Sequence, residues 1–269
     1  LLPYEPAESR GEQLNAGQFA ALATEEFEYY RAQLASFTAE AVVREDTYSG
    51  LLCTGGKLLI GRETSIPAGR ANALLQHEVG THLVTYYNGA QQALGSLRVG
   101  LAGYDGLQEG LAVLSEYLVG GLNLPRLRLL AARVVAVHDL VAGAALPDTY
   151  RRLTEEFGLE PKQAFTVALR VYRGGGLTKD AVYLRGLRDV LRYVQGGGDL
   201  QPLFVGKMAI EHIPIIKELQ YRNVLKPTPI VPRYLQDAAS IARLTQLRGT
   251  NISVVDLVSD NLNKNGAKE

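Results

Sequence analysis

The 269-residue sequence has few of the residues that characterise several classes of protein. It contains one cysteine, Cys53, one methionine and no tryptophan. A single cysteine excludes an intramolecular disulfide framework and a Cys-rich structural zinc site, and it is typical of a reducing compartment. The N-terminus also lacks the charged and then apolar layout of a signal peptide. We therefore expect a cytoplasmic protein, and because Leu1 rather than Met comes first, we expect a fragment or a trimmed product.

Long apolar runs and an excess of one charge are absent as well. No uninterrupted apolar stretch reaches the roughly 20 residues of a membrane-spanning helix. Lys plus Arg number 28, as do Asp plus Glu, so no net field attracts nucleic acid. Hydrophobic residues make up 46% of the chain, which is enough for a substantial core. The composition predicts a globular protein with neither nucleic acid nor membrane as a partner, and it leaves the oligomeric state open.

Apolar residues recur mainly at helical spacing, with a short region of strand character. Two apolar stretches around a glycine pair predict a β-hairpin beside the helix that follows. We therefore predict an α+β fold that is predominantly α-helical, with a zincin-like core and a small sheet beside the metal-binding helix. The predicted organisation is a single metallopeptidase domain, residues 1–269, with an N-terminal helix 16–34, a metal core 47–120, a helical part 125–250 and a polar tail 263–269.

Two of the four histidines lie close together, in residues 77–82, which read HEVGTH. In the common motif H-E-x-x-H, both histidines lie on one helix face and bind zinc, and the glutamate is the general base. Here one more residue intervenes, so a regular helix would place His82 about 140° around the axis from His77. A single π-bulge would restore a common face, and Gly80 would ease that distortion. The pattern predicts Zn²⁺ bound by both histidines, with Glu78 as the base.

A catalytic zinc needs a third protein ligand and leaves its fourth position to water. The metzincin pattern is disfavoured, because Asn88 stands where its third histidine belongs and Met208 is the only methionine. A carboxylate on the next helix is the better candidate, and Glu109 is in the right place. Glu116, two turns further on nearly the same face, could bind the metal instead or orient a ligand. Gly110 would let the two helices approach closely.

Residues 108–112 read QEGLA. This segment resembles the signature of the bacterial QEGLA-motif proteins, described as flavohaemoglobin expression-modulating. Those proteins are related to the microtubule-associated tyrosine carboxypeptidases, whose zincin site has the same H-E-x-x-x-H spacing. The resemblance covers about half of the chain, roughly residues 59–191. It implies one zinc ion held by His77, His82 and Glu109, with Glu78 as the base.

A carboxypeptidase must also hold the terminal carboxylate of its substrate and stabilise an oxyanion. Residues 169–175 and 178–184 are similar to the family pattern and supply candidates for both tasks. Arginine binds carboxylates in a bidentate manner, so Arg170 and Arg173 are predicted to contact the substrate, together with Lys179. Arg173 has the alternative of capping a helix end. A tyrosine hydroxyl, from Tyr183 or Tyr172, is predicted to stabilise the oxyanion.

The function predicted from the sequence is a zinc-dependent carboxypeptidase that removes a C-terminal residue from a peptide or protein. A first alternative is a non-catalytic or regulatory zinc protein that modulates gene expression. The glutamate of the motif argues against it, because a non-catalytic zinc site needs no general base. A second is a helical interaction module in which the motif is accidental. The other two histidines are predicted to be structural, His138 inside an apolar helix and His212 at the surface or in packing.

Overall fold

The computed structural model describes residues 11–46, 50–173 and 179–259. Helices dominate and the strands are short, so the predicted α+β, predominantly helical class is confirmed. The helices are α1 (Ala16–Arg31), α2 (Ala68–His77), α3 (Val84–Ala90), α4 (Ser96–Val99), α5 (Tyr104–Leu118), α6 (Leu124–Val141), α7 (Leu146–Arg151), α8 (Pro161–Tyr172), α9 (Val182–Gln195), α10 (Ile213–Tyr221) and α11 (Ala238–Leu247). Among the described residues, no helix combines the length and apolar character needed to span a membrane.

The strands form two small sheets. They are β1 (Gln13–Asn15), β2 (Ala41–Arg44), β3 (Leu51–Thr54), β4 (Lys57–Gly61) and β5 (Ser65–Pro67). Strand β1 pairs antiparallel with β5, and the second sheet has the order β2-β4-β3. The predicted hairpin consists of β3 and β4, with its turn at Gly55 and Gly56, both of which have positive φ. Cys53, predicted in the turn, lies in β3, and β2 adds an unpredicted strand parallel to β4.

The predicted N-terminal helix begins where expected and ends earlier. The Asn15 side chain accepts a hydrogen bond from the backbone N–H of Gln18, whose side chain accepts one from the N–H of Asn15. This capping box satisfies free donors of the first turn. Helix α1 then runs to Arg31 instead of residue 34 and buries Phe19, Phe27 and Tyr30.

Helix α5 lies at the centre of the fold. Every residue from Leu107 to Leu118 is buried, including Gln108, Glu109 and Glu116. Helices α2, α9 and α11 pack around it. A helix that is covered on all sides can hold charged groups only where other groups compensate them. The buried carboxylates of α5 therefore have specific partners, which are described below.

Helices α5 and α9 meet at two glycines. A Cβ atom on Gly110 would collide with the backbone of Gly186, and one on Gly186 would collide with the carbonyl oxygen of Gly106. The prediction that Gly110 allows a close helix approach is therefore right, but the partner helix is wrong. Gly110 packs against α9 and not against the helix of the HEVGTH motif. This contact fixes the position of α9 relative to Glu109.

The C-terminal part of the chain is attached to α3 through Asn88. The side-chain N–H groups of Asn88 donate to the carbonyls of Phe204 (2.9 Å) and Ile230 (2.8 Å), and its side-chain oxygen accepts from the N–H of Ile230 (3.1 Å). A second, smaller apolar cluster lies between α6, α7 and α8. The segments around Phe204 and Ile230 thus pack against the helix that continues from the HEVGTH motif.

Candidate metal centre

The helix that carries the two histidines contains a π-helical segment. Helix α2 ends at His77, the π turn covers Glu78–Leu83, and α3 continues from Val84. A π turn accommodates one more residue than an α turn and brings positions i and i+5 to the same face. The rings of His77 and His82 accordingly lie with centroids 5.2 Å apart and planes at 82°. The predicted bulge is confirmed.

Gly80 lies inside this π segment, where space is short. A Cβ at this position would collide with Oε1 of Gln76 and would lie 3.3 Å from Cε1 of Tyr234. Both of those side chains are buried. The structure thus gives Gly80 a packing role in addition to the ease of distortion that the sequence suggests.

Glu109 faces both histidines from the neighbouring helix α5. Its Oε2 atom lies 3.7 Å from Nε2 of His77 and 3.7 Å from Nε2 of His82. One ligand atom from each residue lies within 4.8 Å of the other two. Ligands of a tetrahedral zinc with bonds of about 2.0–2.1 Å stand about 3.4 Å apart, so a small contraction would enclose the ion.

The Glu109 carboxylate also has an unsatisfied atom. Its Oε2 is buried and lacks a hydrogen-bond partner among the described residues. A buried carboxylate oxygen without a partner is costly, and a cation at this position would compensate it. The donor set of two imidazole nitrogens and one carboxylate oxygen is typical of catalytic zinc. The three residues therefore fit a zinc ion.

Glu116 binds the opposite side of the His77 ring. Its Oε1 lies 2.9 Å from Nδ1 of His77, and its carboxylate also accepts from Arg70 (2.5 Å) and Arg126 (2.9 Å). Arg70 in turn donates to the carbonyl of Gly121. Burial raises the pKa of Glu116, but Arg126, His77 and Arg70 outweigh it and hold that pKa well below its usual range. Glu116 thus stays an anion and accepts a hydrogen bond from the Nδ1–H of His77. The Nε2 lone pair of the same ring is then free for a metal.

The His82 ring is held by a weaker contact. Its Nδ1 lies 3.4 Å from Oε1 of Gln108, and that oxygen accepts a 2.8 Å hydrogen bond from the Thr85 hydroxyl. Burial lowers the pKa of His82, and the charges of Glu109 and Glu78 oppose this only in part. His82 is therefore a neutral imidazole at pH 7, which is the form that binds metal.

Glu78 lies at the start of the π segment and is half-buried. Its backbone carbonyl accepts a 3.3 Å hydrogen bond from Sγ of Cys53, which connects the segment to β3. The predicted sheet therefore does lie beside this helix. The Glu78 carboxylate also raises the pKa of His77, against the opposing effect of burial. Its charge thus acts on the same imidazoles that face Glu109.

Tyr183 and Arg170 lie close to this group. Tyr183 is buried on α9; burial raises its pKa, and the nearby charge of Glu109 raises it further. Arg170 donates from Nε to Oδ1 of Asp180 (2.6 Å). The positive charges of Arg170 and Arg133 lower the pKa of Tyr183. The Tyr183 hydroxyl is thus subject to the charge of the candidate ligand Glu109 and to the charges of two arginines.

The other predicted substrate residues have different surroundings. The Tyr172 hydroxyl donates to the carbonyl of Ala144 (2.8 Å) and lies 2.7 Å from the Thr149 hydroxyl, so it ties α8 to α7. Arg173 is exposed at the C-terminal end of α8, which is the position that the alternative role of capping this helix requires. Lys179 is exposed, with Nζ 3.6 Å from Oδ1 of Asp105. The structure does not bring these three side chains into contact with His77, His82 or Glu109 among its described interactions.

Several sequence expectations concern residues outside these contacts. His138 is not in the core, because its side chain is 74% exposed and the next residue, Asp139, takes the buried position. His212 packs at the start of α10, where its Nδ1 accepts from the N–H of Ala209 (3.2 Å). The polar tail 263–269 lies outside the described residues.

Sequence reasoning missed the arginines that surround the site. Arg70 comes from α2, whereas Arg126 and Arg133 are two turns apart on α6. All three side chains are largely buried. The available signal was the spacing of seven residues between Arg126 and Arg133, which puts both on nearly the same face of α6.

The sequence of the chain is similar to that of a curated protein and to a family model. The chain is 30% identical over 193 residues to the human protein "Microtubule-associated tyrosine carboxypeptidase 1". That match covers 66% of this chain and 39% of the human protein, so the chain spans about two fifths of the length of this curated relative. Residues 2–251 match the family model described as "Microtubule-associated tyrosine carboxypeptidase". The chain therefore belongs to the microtubule-associated tyrosine carboxypeptidase family.

Proposed function

We propose that this protein is a zinc-dependent carboxypeptidase that removes the last residue of a peptide or protein chain. The observation that carries the proposal is the arrangement of Glu109, whose buried and unpartnered Oε2 faces Nε2 of both His77 and His82. Family membership supports a carboxypeptidase activity. The same membership makes a C-terminal tyrosine the first residue to test. We also propose that the chain is of the QEGLA type within this family and acts in the cytoplasm.

His77, His82 and Glu109 would hold the metal. When bound, zinc supplies Lewis acidity, which lowers the pKa of a water molecule towards about 7 and polarises a carbonyl group. Glu116 keeps the proton of His77 on Nδ1, so the Nε2 lone pair points to the site. Glu78 is the proposed general base, which accepts the proton of the attacking water and passes it to the departing amine.

Tyr183 is the proposed donor to the oxyanion that forms during attack. Its raised pKa keeps the hydroxyl protonated at neutral pH, so it can donate a hydrogen bond. Arg170, beside it, is the predicted partner for the substrate carboxylate. The contacts of Tyr172, Arg173 and Lys179 support no such role, and we leave them out of the proposed chemistry.

The test compares the zinc-loaded wild type with Glu78→Gln on an N-acetylated tetrapeptide that ends in tyrosine. We expect free tyrosine from the wild type. The Glu78→Gln variant should bind zinc with unchanged stoichiometry, and hydrolysis should fall by about 100-fold or more, since a general base contributes about that much. The exposed Glu155→Gln substitution is the matched control and should leave both quantities unchanged.

Two results would count against the proposal. An equal rate in wild type and Glu78→Gln would exclude the assigned base. Retained zinc, without cleavage of any member of a peptide library, would favour the regulatory zinc protein instead.

A further inference from the structure

Arg133 is a buried cation whose polar groups are incompletely satisfied. Its side chain is 13% exposed, and its Nε atom has no hydrogen-bond partner among the described residues. Its guanidinium lies over the ring of Tyr183, with Cζ 5.4 Å from the ring centroid. Buried arginines normally pair with an anion, because an unpaired buried charge is costly. Arg133 therefore requires a partner that the fold itself supplies only in part.

The nearest anion is shared with a second arginine. Asp180 accepts a 2.6 Å hydrogen bond from Nε of Arg170, and the same oxygen lies 3.8 Å from NH1 of Arg133. Two guanidinium groups thus face one carboxylate and leave one positive charge in excess. Burial, together with the charges of Arg170 and Arg126, lowers the pKa of Arg133 to about 10. A monoanion would balance the pair, whereas a dianion would overcompensate it.

This pair of arginines lies next to the candidate metal centre. The charge of Glu109 raises the pKa values of Tyr183 and Arg170, and the charge of Arg133 lowers the pKa of Tyr183. Two turns before Arg133 on α6, Arg126 binds Glu116, the carboxylate that orients His77. The face of α6 that carries both arginines therefore turns to the metal-binding residues. Tyr183, over whose ring Arg133 lies, is one turn before Gly186 on α9, and Gly186 packs against Gly110, the neighbour of Glu109.

We propose that Arg133, together with Arg170, binds the α-carboxylate of the substrate's C-terminal residue. This inference rests on the proposed function and deepens it, because a fixed terminal carboxylate confines cleavage to the last peptide bond. The free C-terminus of a peptide is a monoanion, which matches the single excess charge. The Nε–H group of Arg133, which has no hydrogen-bond partner in the described part of the chain, is a suitable donor to a carboxylate oxygen.

The experiment measures binding without turnover in a Glu78→Gln background. Its probes are two N-acetylated tetrapeptides that both end in tyrosine, one as the free acid and one as the C-terminal amide. Isothermal titration calorimetry should show a preference for the acid of roughly 10- to 100-fold, as expected for hydrogen bonds to a charged group. Adding Arg133→Gln should remove this preference by weakening the acid alone. Adding Arg188→Gln, an exposed arginine of α9, should leave it intact.

Arg133→Lys is the control for a folding defect. Lysine keeps the positive charge and most of the aliphatic side chain but lacks the planar guanidinium group with its several donors. We expect it to unfold at nearly the same temperature and to show a reduced preference for the acid. In otherwise wild-type protein, Arg133→Gln should raise KM for the free-acid peptide more than it lowers kcat.

The outcomes separate this inference from the proposed function. If Arg133→Gln folds and keeps the acid preference while the wild type cleaves peptides, the carboxylate site is wrong and the peptidase stands. If the acid preference depends on Arg133 but nothing is cleaved, the carboxylate site stands and the peptidase proposal fails.

Discussion

Glu109 and Glu116 face opposite edges of one imidazole from a single helix. Oε2 of Glu109 lies 3.7 Å from Nε2 of His77, and Oε1 of Glu116 lies 2.9 Å from Nδ1 of the same ring. The two carboxylates are two turns apart on α5, so the helix itself sets their separation. Only Glu116 has arginine partners in the described contacts, whereas Oε2 of Glu109 has none. The same residue type is thus suited to two different tasks.

The first prediction concerns metal affinity. Glu109→Ala removes a proposed ligand and should abolish stoichiometric zinc binding. Glu116→Gln should keep one zinc per chain at high zinc concentration but weaken its affinity by about 10- to 100-fold, because a histidine ligand loses its orienting anion. Chelator competition, with zinc quantified by mass spectrometry, measures both effects. Equal affinities in the two variants would contradict the separate roles.

A second prediction concerns zinc and thermal stability. Because a metal that binds only the folded state stabilises it, zinc at 1,000 times its dissociation constant should add about 4 kcal/mol to the free energy of unfolding. Chelation should therefore lower the melting temperature of the wild type. His138→Ala, which changes an exposed histidine, should melt with the same zinc dependence. If Glu109→Ala also kept that dependence, zinc would be bound elsewhere.

The third prediction tests the contact between α5 and α9. Gly186→Ala forces a methyl group into the backbone of Gly106, and we expect a loss of about 1–3 kcal/mol in unfolding free energy, typical of overpacking. Gly106→Ala is the control, since a Cβ there meets no atom within 4 Å. A helical Gly→Ala change of that kind should be neutral or stabilise by up to about 1 kcal/mol. Urea denaturation should therefore show a lower unfolding free energy for Gly186→Ala and an unchanged or higher one for Gly106→Ala.

The fourth prediction concerns pH. The Asp237 side chain caps α11 by accepting from the N–H of Ser240 (2.9 Å), and this backbone hydrogen bond lowers its pKa. The contribution is therefore present above the ordinary carboxyl pKa of about 3.9 and disappears as pH falls through the lower folded value. Asp237→Asn should be less stable than wild type at pH 7 and equally stable at pH 2. A difference that grew on acidification would contradict this sign.

The local sequence pattern was enough to predict the helix of the HEVGTH motif. It did not predict which residues pair across different helices. The extra residue between His77 and His82 required a wide turn, because no regular helix puts both on one face. The choice between Glu109 and Glu116 depended on Arg70 and Arg126, which come from two other helices. Their pairing arises from tertiary packing, which single-sequence periodicity does not encode.

Exposure was the harder property to read. His138 lies among apolar residues, yet the stripe of α6 that faces the core includes Asp139 and leaves His138 in solvent. Tyr172 similarly lies in a segment of the family pattern, but its hydroxyl points to α7. His138 was thus assigned to the right helix and to the wrong side of it.

The π turn has an evolutionary consequence. Deleting one residue between the histidines would recreate the spacing of ordinary zinc peptidases, and the wide turn would become a regular α turn, because the π turn exists to absorb that one residue. The residues after it would keep nearly the same positions, so Asn88 would keep its hydrogen bonds to Phe204 and Ile230, which attach the C-terminal part of the chain. We therefore expect that the short and long forms of the motif are connected by a single insertion or deletion in this helix, without repacking of α3.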